Sequence, residues 1–153
     1  MTAFAIRRGV AGDVAQLAPL FDAYRVFYQQ PSDVDAAATF IRERIERDES
    51  VVFVAEDPDG ILLGFVQLFQ TWASTTTPPG RLWLLEDLYV GEPARRRGVG
   101  RALMERAERM ALETGAVGLM LSTGIDNLRA HRLYESMAYR RLTRYFTYTR
   151  MLI

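Results

Sequence analysis

Three arginines and two glycines stand together at residues 95–100, in the order Arg-Arg-Arg-Gly-Val-Gly. Apolar residues then recur every three to four positions, which predicts an amphipathic helix beginning inside this loop, with Val99, Leu103, Ala107 and Met110 on its apolar side. The first amides of a helix have no intrahelical partner and lie at the positive end of its dipole, so they bind anions. Glycine has no Cβ to keep an anion away, and arginine adds charge-assisted donors. The pattern therefore predicts a site for a phosphate or pyrophosphate.

Two common phosphate-binding loops do not account for this segment. The dinucleotide-binding pattern needs a third glycine three residues after Gly100, where this chain has Leu103. The P-loop needs a lysine, and all 19 basic residues of the chain are arginines. An arginine-rich helix cap that binds no ligand remains the structural alternative for the loop taken alone.

Two adjacent carboxylates, Glu86 and Asp87, interrupt an apolar run at 82–90 that is typical of a strand. Neighbouring side chains of a strand point to opposite faces, so at most one of the two carboxylates can face a given ligand. We expect Glu86 to share a face with Leu84 and Leu88. Structural hydrogen bonds at the end of the strand are the alternative use for both acids.

The composition excludes several kinds of chemistry. A chain of 153 residues fits one domain, which we expect to span residues 1–153. The absence of cysteine excludes disulfide bonds, thiolate zinc sites, iron–sulfur clusters and cysteine nucleophiles. The single histidine, His131, has no second ligand at metal spacing, so we expect no metal site. No stretch approaches the ~20 apolar residues of a membrane span and the opening residues lack the apolar run of a signal peptide, so we expect a cytoplasmic protein without a membrane partner.

The formal net charge of zero hides a difference between the two halves of the chain. Residues 1–93 contain seven arginines against 14 acidic residues, whereas residues 94–153 contain 12 arginines against five. An anionic ligand is therefore expected at the later half and a cationic one at the earlier half. A zero net charge is a poor basis for binding nucleic acid, so we expect no such partner.

The elements that position these residues alternate between strands and helices. Their predicted order is β-α-α-β-β-β-α-β-α-β-β, an α/β (α+β) arrangement in which a mixed sheet of about seven strands is flanked by about four helices. The first helix follows a short strand at 3–8, and Ser32 can cap the second helix. The first helix has an apolar stripe at helical spacing, formed by Val14, Leu17, Phe21, Tyr24 and Tyr28.

Later segments complete the sheet. A hairpin is expected to turn at residues 57–60, and residues 71–81 are typical of a polar loop. The apolar run 116–123 predicts a buried central strand. The alternating tail from residue 139 to 151 predicts one or two further strands.

The motifs together resemble one family. Arg95-x-x-Gly98-x-Gly100, the preceding LEDLYV, and Asn127 followed by LYESMAY at 133–139 are similar to the GCN5-related N-acetyltransferase (GNAT) superfamily, over nearly the whole chain. The resemblance implies acetyl-CoA as the cofactor, with its pyrophosphate on the loop and its pantetheine arm beside the preceding strand. The cofactor-binding residues implied in this way are Leu88, Tyr89, Val90, Arg95, Arg96, Arg97, Gly98, Val99, Gly100, Arg101 and Asn127.

The same resemblance implies the catalytic residues. Alkyl amines have pKa values near ~10, so their acylation at neutral pH requires a base or a water chain that takes the proton. LEDLYV is particularly similar to the diamine acetyltransferase branch, which implies Glu86 as the base and Asp87 as the second choice. The family places a tyrosine near the departing sulfur as a general acid, and Tyr134 matches it. Tyr134 lies two helical turns after Asn127, on the same face of the predicted helix.

The implied function is acetyl-CoA-dependent N-acetyl transfer to a primary amine by direct attack in a ternary complex. Small amines, polyamines, amino acids and protein amines are the acceptors considered, and a non-catalytic acyl-CoA-binding regulatory module is the alternative. Tyr24, Tyr28 and Gln67 are candidate acceptor-binding residues, although the tyrosines fit a core-facing stripe equally well. The related branch forms dimers through late strands, so the alternating segment 145–150 is consistent with a homodimer.

Overall fold

The computed structural model describes residues 3–153. It contains five strands and four α-helices, in the chain order β1 Ala5–Arg8, α1 Val14–Phe27, α2 Val34–Glu46, β2 Val51–Glu56, β3 Leu62–Ala73, β4 Gly80–Val90, α3 Val99–Glu113, β5 Gly118–Leu121 and α4 Leu128–Ser136. The strands form one sheet in the order β1-β2-β3-β4-β5. All neighbours are antiparallel except β4 and β5, which are parallel. The mixed α/β class and the predicted order up to α4 are confirmed.

The prediction of about seven strands is wrong, because the sheet has five. The difference is the tail: residues 139–153 form no strand, and every residue from 140 onward is exposed. Alternation of aromatic, Thr and Arg residues supplies a preference for extended structure. A strand also needs a partner for its backbone groups, and a sequence pattern does not specify one.

The chain divides into two compact units, Met1–Ser122 and Thr123–Ile153. The first contains the whole sheet with α1, α2 and α3, and the second contains α4 and the tail. A single domain over 1–153 stays a prediction.

Helices α1 and α2 cover one face of the sheet. Val14, Leu17 and Phe21 of the predicted α1 stripe are buried against Val52, Val54 and Phe65 of the sheet, which confirms that stripe as a packing face. Asp33 rather than Ser32 caps α2, since its Oδ1 accepts from the amide of Ala36 at 2.9 Å. The Ser32 hydroxyl instead donates to Asp22 at 2.7 Å.

Helix α3 covers the opposite face. Its predicted apolar side is buried, and the guanidinium of Arg106 lies 4.4 Å from the ring centre of Phe53, which alternates with Val52 and Val54. The helix ends where Gly115 adopts a φ of +68°, as its sequence predicted.

Two predictions about the sheet need correction. Residues 71–73 and 80–81, expected in a loop, continue the β3–β4 ladder, with Trp72 opposite Arg81. Their polar composition is tolerated because the guanidinium of Arg81 stacks on the exposed indole of Trp72, 5.3 Å from its centre. Strand β5, expected at the centre, is the last strand of the sheet and no residue in it is fully buried. An apolar run does not by itself distinguish a central from a terminal strand.

Helix α4 begins at the predicted cap, because Oδ1 of Asn127 accepts from the amide of Ala130. After the helix, Ala138 adopts a φ of +68°. The GNAT pattern has a glycine at this position. Left-handed backbone costs an alanine about 1 kcal/mol, so the end of this helix is strained.

Replacing Ala138 by Gly should therefore increase the free energy of unfolding by about 0.5–1 kcal/mol, since glycine adopts this conformation without strain. The matched control is Gly115→Ala, which has the same φ of +68° and nothing within 4 Å of its added Cβ, and which should destabilise by a similar amount. Urea unfolding of both variants measures this. A less stable Ala138→Gly variant contradicts the strain assignment.

Candidate active site

Strand β4 contains a bulge at the two adjacent carboxylates. Asp87 pairs with Gln67 and Leu85 pairs with Leu68, so Glu86 is an extra residue with no partner on β3. The extra residue shifts the alternation of side chains along β4, which places Leu84 and Leu88 on opposite faces. The predicted face shared by Leu84 and Leu88 is therefore wrong, because strict alternation does not hold across a bulge.

The bulge also separates β4 from β5. Strand β5 pairs only with residues 82–85, whereas β4 continues to Val90. No strand of the first unit pairs with residues 86–90 on the side away from β3. The amide of Gly91 bonds to Leu63, so by the alternation of an antiparallel ladder Leu88 and Val90 direct their backbone groups away from β3. This open edge can pair with an extended ligand.

The arginine loop follows that edge after one short 3-10 turn, Glu92–Ala94. Gly98 is the N-cap of α3 with a φ of +80°, and Arg96 also has a positive φ of 65°. Nothing lies within 4 Å of a Cβ built at Gly98, so the surface in front of it is open. The amides of Val99 and Gly100 have no carbonyl four residues back within the helix. The predicted helix start is confirmed, and its backbone fits an anion.

The four loop arginines, Arg95, Arg96, Arg97 and Arg101, are all exposed. Arg95 folds back along β4: its Nε donates to the carbonyl of Val90 at 3.1 Å, and its guanidinium lies 5.6 Å from the ring centre of Tyr89. Arg95 therefore stiffens the connection between the open edge and the loop.

The two carboxylates lie in different environments. The Glu86 side chain is exposed, whereas Asp87 is buried. Burial raises the pKa of Asp87 to about 6, the hydrogen bond from Gln67 lowers it in part, and the charge of Glu86 raises it further. A carboxylate in this range can exchange a proton near neutral pH.

A hydrogen-bonded chain reaches Asp87 from the interior of the sheet. Nε2 of Gln67 donates to Oδ2 of Asp87 at 2.6 Å, and the hydroxyl of Ser50 donates to Oε1 of Gln67 at 2.8 Å. Gln67 is completely buried, so its expected contact with an acceptor is not direct. Sequence reasoning missed Ser50, because a serine before a strand has no distinguishing signal.

Tyr24 packs in the core with its ring, and its hydroxyl reaches the bulge; its contact with an acceptor stays a prediction. Its ring packs edge-on against Phe65 and Tyr89, and its hydroxyl donates to the backbone carbonyl of Glu86 at 3.1 Å. Tyr24 thus connects helix α1 to the β4 bulge through this hydrogen bond. Tyr28 is 39% exposed at the end of α1, and its ring centre lies 5.0 Å from that of Tyr24.

The second unit contains the other predicted site residues. Asn127 uses its amide within the unit: Nδ2 donates to Thr123 at 3.3 Å, while Oδ1 caps α4. Tyr134 lies on α4, partly buried, with its ring centre 6.2 Å from that of Tyr139. Nε2 of His131 lies 2.8 Å from the carbonyl oxygen of Gly124. Over residues 3–153, no group of three metal-ligating side chains occurs and no helix is long and apolar enough to cross a membrane.

Comparison with known proteins identifies the class to which this site belongs. The chain matches the Acetyltransferase (GNAT) family over residues 17–139, a range that includes the bulge, the arginine loop and α4. The protein is therefore a member of the GNAT acetyltransferase family, as its motifs predicted.

Individual relatives agree with this assignment. The uncharacterized N-acetyltransferase YhfO of Bacillus subtilis (strain 168) is 39% identical over 143 residues, which cover 94% of each chain. Thialysine N-epsilon-acetyltransferase of Caenorhabditis elegans is 29% identical over 132 residues, covering 84% of this chain and 78% of the relative.

Solved structures share the fold. The crystal structure of a probable acetyltransferase is 37% identical, has a TM-score of 0.89, and is matched over 97% of this chain and 98% of its own. Aminoglycoside N-acetyltransferase AAC(6')-Iy in complex with CoA has a TM-score of 0.79 at 19% identity, covering 98% of this chain and 96% of its own.

Replacing Asp87 by Asn should reveal the cost of burying this carboxylate. Because its pKa is raised from 3.8 to about 6, the folded state retains a proton that the unfolded state releases. The wild-type free energy of unfolding therefore falls as the pH rises from the unfolded-state pKa of 3.8 through the folded-state pKa of about 6. The advantage of Asp87→Asn should grow from near zero below about pH 4 to about 1–3 kcal/mol above pH 6.5, measured by urea unfolding at a series of pH values.

The control for this measurement is Glu105→Gln, which removes an exposed carboxylate on α3. It should change the free energy of unfolding by less than about 0.5 kcal/mol across the same pH range. An Asp87→Asn advantage that is constant with pH contradicts the raised pKa.

Proposed function

We propose that this protein is an acetyl-CoA-dependent N-acetyltransferase that transfers the acetyl group to a primary amine by direct attack in a ternary complex. The observation that carries this proposal is the arrangement along β4. A bulge with two carboxylates opens a strand edge, and this edge leads through one short turn into an arginine-flanked helix start. An extended thioester ligand with a diphosphate at its far end matches that order of features.

The cofactor would be held mainly by backbone groups. The outward-facing backbone groups of Leu88 and the amide of Val90 are suited to amides of an extended arm, whereas the carbonyl of Val90 accepts from Arg95. The amides of Val99 and Gly100 are suited to a diphosphate. The remaining proposed contacts, inferred from the family resemblance, are Tyr89, Arg95, Arg96, Arg97, Gly98, Arg101 and Asn127. Acetyl-CoA supplies an activated acyl carbon; the chain supplies binding, orientation and proton transfer.

Two carboxylates are available to take the proton from the acceptor amine. Glu86 is at the bulge with its side chain in solvent, and Asp87 has a pKa raised by burial to about 6. The resemblance favours Glu86. The pKa of Asp87 favours Asp87, because a base is most effective when its pKa lies near the working pH. In both cases the amine lone pair becomes free to form the C–N bond.

We propose Tyr134 as the group that returns a proton when the C–S bond breaks. A phenol hydroxyl within hydrogen-bond distance of the departing sulfur can donate its proton to the thiolate as the C–S bond breaks. The support is its place in the family pattern, seven residues after the helix cap Asn127. No acyl-enzyme is part of this scheme, since the amine attacks the thioester directly, the chain has no cysteine, and the sequence suggests no Ser–His–Asp arrangement around its single histidine.

The acceptor is a primary amine, drawn from small amines, polyamines, amino acids and protein amines. Two relatives are named for amine acceptors: the thialysine acetyltransferase and an aminoglycoside N(6')-acetyltransferase of Klebsiella aerogenes, which is 34% identical over 90 residues. The acidic excess of residues 1–93 and the carboxylates at the bulge favour a cationic molecule. A location in the cytoplasm stays a prediction.

A screen of primary amines with acetyl-CoA tests this function. Free thiol should appear with at least one cationic amine, at a rate that rises above pH 6 as a carboxylate base ionises. Coenzyme binding, followed by calorimetry, is measured in parallel. Binding without thiol release across the whole panel would instead support a non-catalytic acyl-CoA-binding module.

The matched variant for this screen is Tyr134→Phe, which keeps the ring and removes the hydroxyl. It should lower kcat at least ~10²-fold while the Kd for CoA stays near the wild-type value. Unchanged turnover would remove Tyr134 from the mechanism.

We also propose that the protein is a homodimer in which the tail pairs with a second copy. Tyr145, Phe146 and Tyr148 are 77%, 89% and 91% exposed, although their alternation with Thr and Arg is typical of a strand. Pairing would bury the aromatic rings and satisfy the tail backbone.

Light scattering should therefore give a mass of twice 17.4 kDa for the wild type. Phe146→Glu, which adds a charge to the proposed contact, should shift the mass toward the monomer. A monomeric wild type at micromolar concentration contradicts the dimer.

A further inference from the structure

Three buried polar side chains form a line across three adjacent strand positions. Ser50 directly precedes β2, Gln67 lies on β3 and Asp87 on β4, with exposed fractions of 5%, 0% and 7%. Around them the strands are apolar, with Val52, Phe65 and Leu68 among the buried residues. Burying three polar groups is unfavourable compared with apolar residues of similar volume, so a role beyond packing accounts for them best.

In both hydrogen bonds the donor is the residue farther from β4: Ser50 donates to Gln67, and Gln67 donates to Asp87. Ser50 donates to Oε1 of Gln67, which leaves the amide nitrogen of Gln67 to point at Asp87. Without the serine hydroxyl, the buried Oε1 of Gln67 would lose its hydrogen-bond donor. Ser50 therefore stabilises the orientation in which the amide nitrogen of Gln67 faces Asp87.

The line uses only one of the two oxygens of Asp87. Oδ2 accepts from Gln67, and Oδ1 has no hydrogen-bond partner among residues 3–153. Oδ1 is also not one of the fully buried, unsatisfied side-chain atoms, so it retains access to solvent. One oxygen is held from the interior while the other remains available to a ligand.

We propose that Ser50 and Gln67 are positioning residues that hold Asp87 so that its Oδ1 accepts an N–H of the acceptor amine. This inference rests on the proposed function. Asp87 would be the group that touches the acceptor. Ser50 and Gln67 would act only through it, and the proton that leaves the amine nitrogen would pass to Oδ1.

The charges around Asp87 are consistent with this arrangement. From β4, the neighbouring carboxylate of Glu86 raises the pKa of Asp87. Gln67 on β3 and Ser50, directly before β2, are neutral groups. Tyr24 on α1 is also uncharged, and its hydroxyl donates to the Glu86 carbonyl. The donation by Gln67 is the interaction that favours the ionised carboxylate, so its loss should raise the pKa of Asp87.

The test compares Ser50→Ala with Ser50→Thr, which retains a hydroxyl, in the pH dependence of kcat/KM. We expect the acidic limb of Ser50→Ala to move to higher pH by about 0.5–1 unit, and KM for the amine to rise several-fold more than kcat falls. Ser50→Thr should restore both toward wild type. The control is Thr114→Val, which removes the acceptor of the Trp83 indole at the other end of β4 and should leave the pH profile unchanged.

A second measurement does not depend on turnover. The titration of the Asp87 carboxyl, followed by carbon NMR in the free protein, should move to higher pH in Ser50→Ala and return in Ser50→Thr. An unchanged midpoint or an unmoved acidic limb overturns the positioning role. Wild-type protein that releases no thiol with any amine overturns the proposed function, and with it the contact of Oδ1 with an amine, whatever the midpoint shows.

Discussion

The extra residue in β4 is the constraint on which the site depends. The extra residue Glu86 between Leu85 and Asp87 interrupts the ladder with β3, which continues beyond it in a shifted register with the side-chain faces exchanged. Pairing with β5 ends at Leu85, so residues 86–90 keep an unpaired edge within the first unit. The hydroxyl of Tyr24 bonds to the Glu86 carbonyl, which ties the bulge to the packing of α1. Strand edge, carboxylate placement and helix packing are therefore linked through one residue.

The arginine loop depends on backbone conformation as much as on charge. Positive φ angles at Arg96 and Gly98 turn the chain from the end of β4 into the axis of α3. Val99 is buried and anchors the first turn, so the backbone of the loop rather than its apolar side chains faces outward. Arg95 lies along Tyr89 and Val90. The geometry that would bind a diphosphate is thus supported by the same strand that carries the carboxylates.

Asp87 shows how stability and reactivity oppose each other at this site. Burial raises its pKa to about 6, which disfavours the charged form in the folded protein. The same shift brings the carboxylate into a range useful for proton transfer near neutral pH. The hydrogen bond from Gln67 offsets part of the burial penalty and so keeps the ionised form accessible. Such a group is expected where chemistry, rather than packing, determines the choice of residue.

The sequence alone was sufficient for features that depend on local order. Helix periodicity predicted α1 and α3, Gly115 and Asn127 predicted helix ends, and the family motifs predicted the acetyltransferase class, because each depends on residues close together in the chain. The tertiary structure determined the features that depend on contacts between residues far apart in the chain. It determined the bulge, the terminal position of β5 and the unpaired tail, since strand pairing is set by which backbones meet and not by propensity. It also brought Ser50 to Gln67, 17 residues away, and Gln67 to Asp87, 20 residues away, contacts that no local pattern specifies.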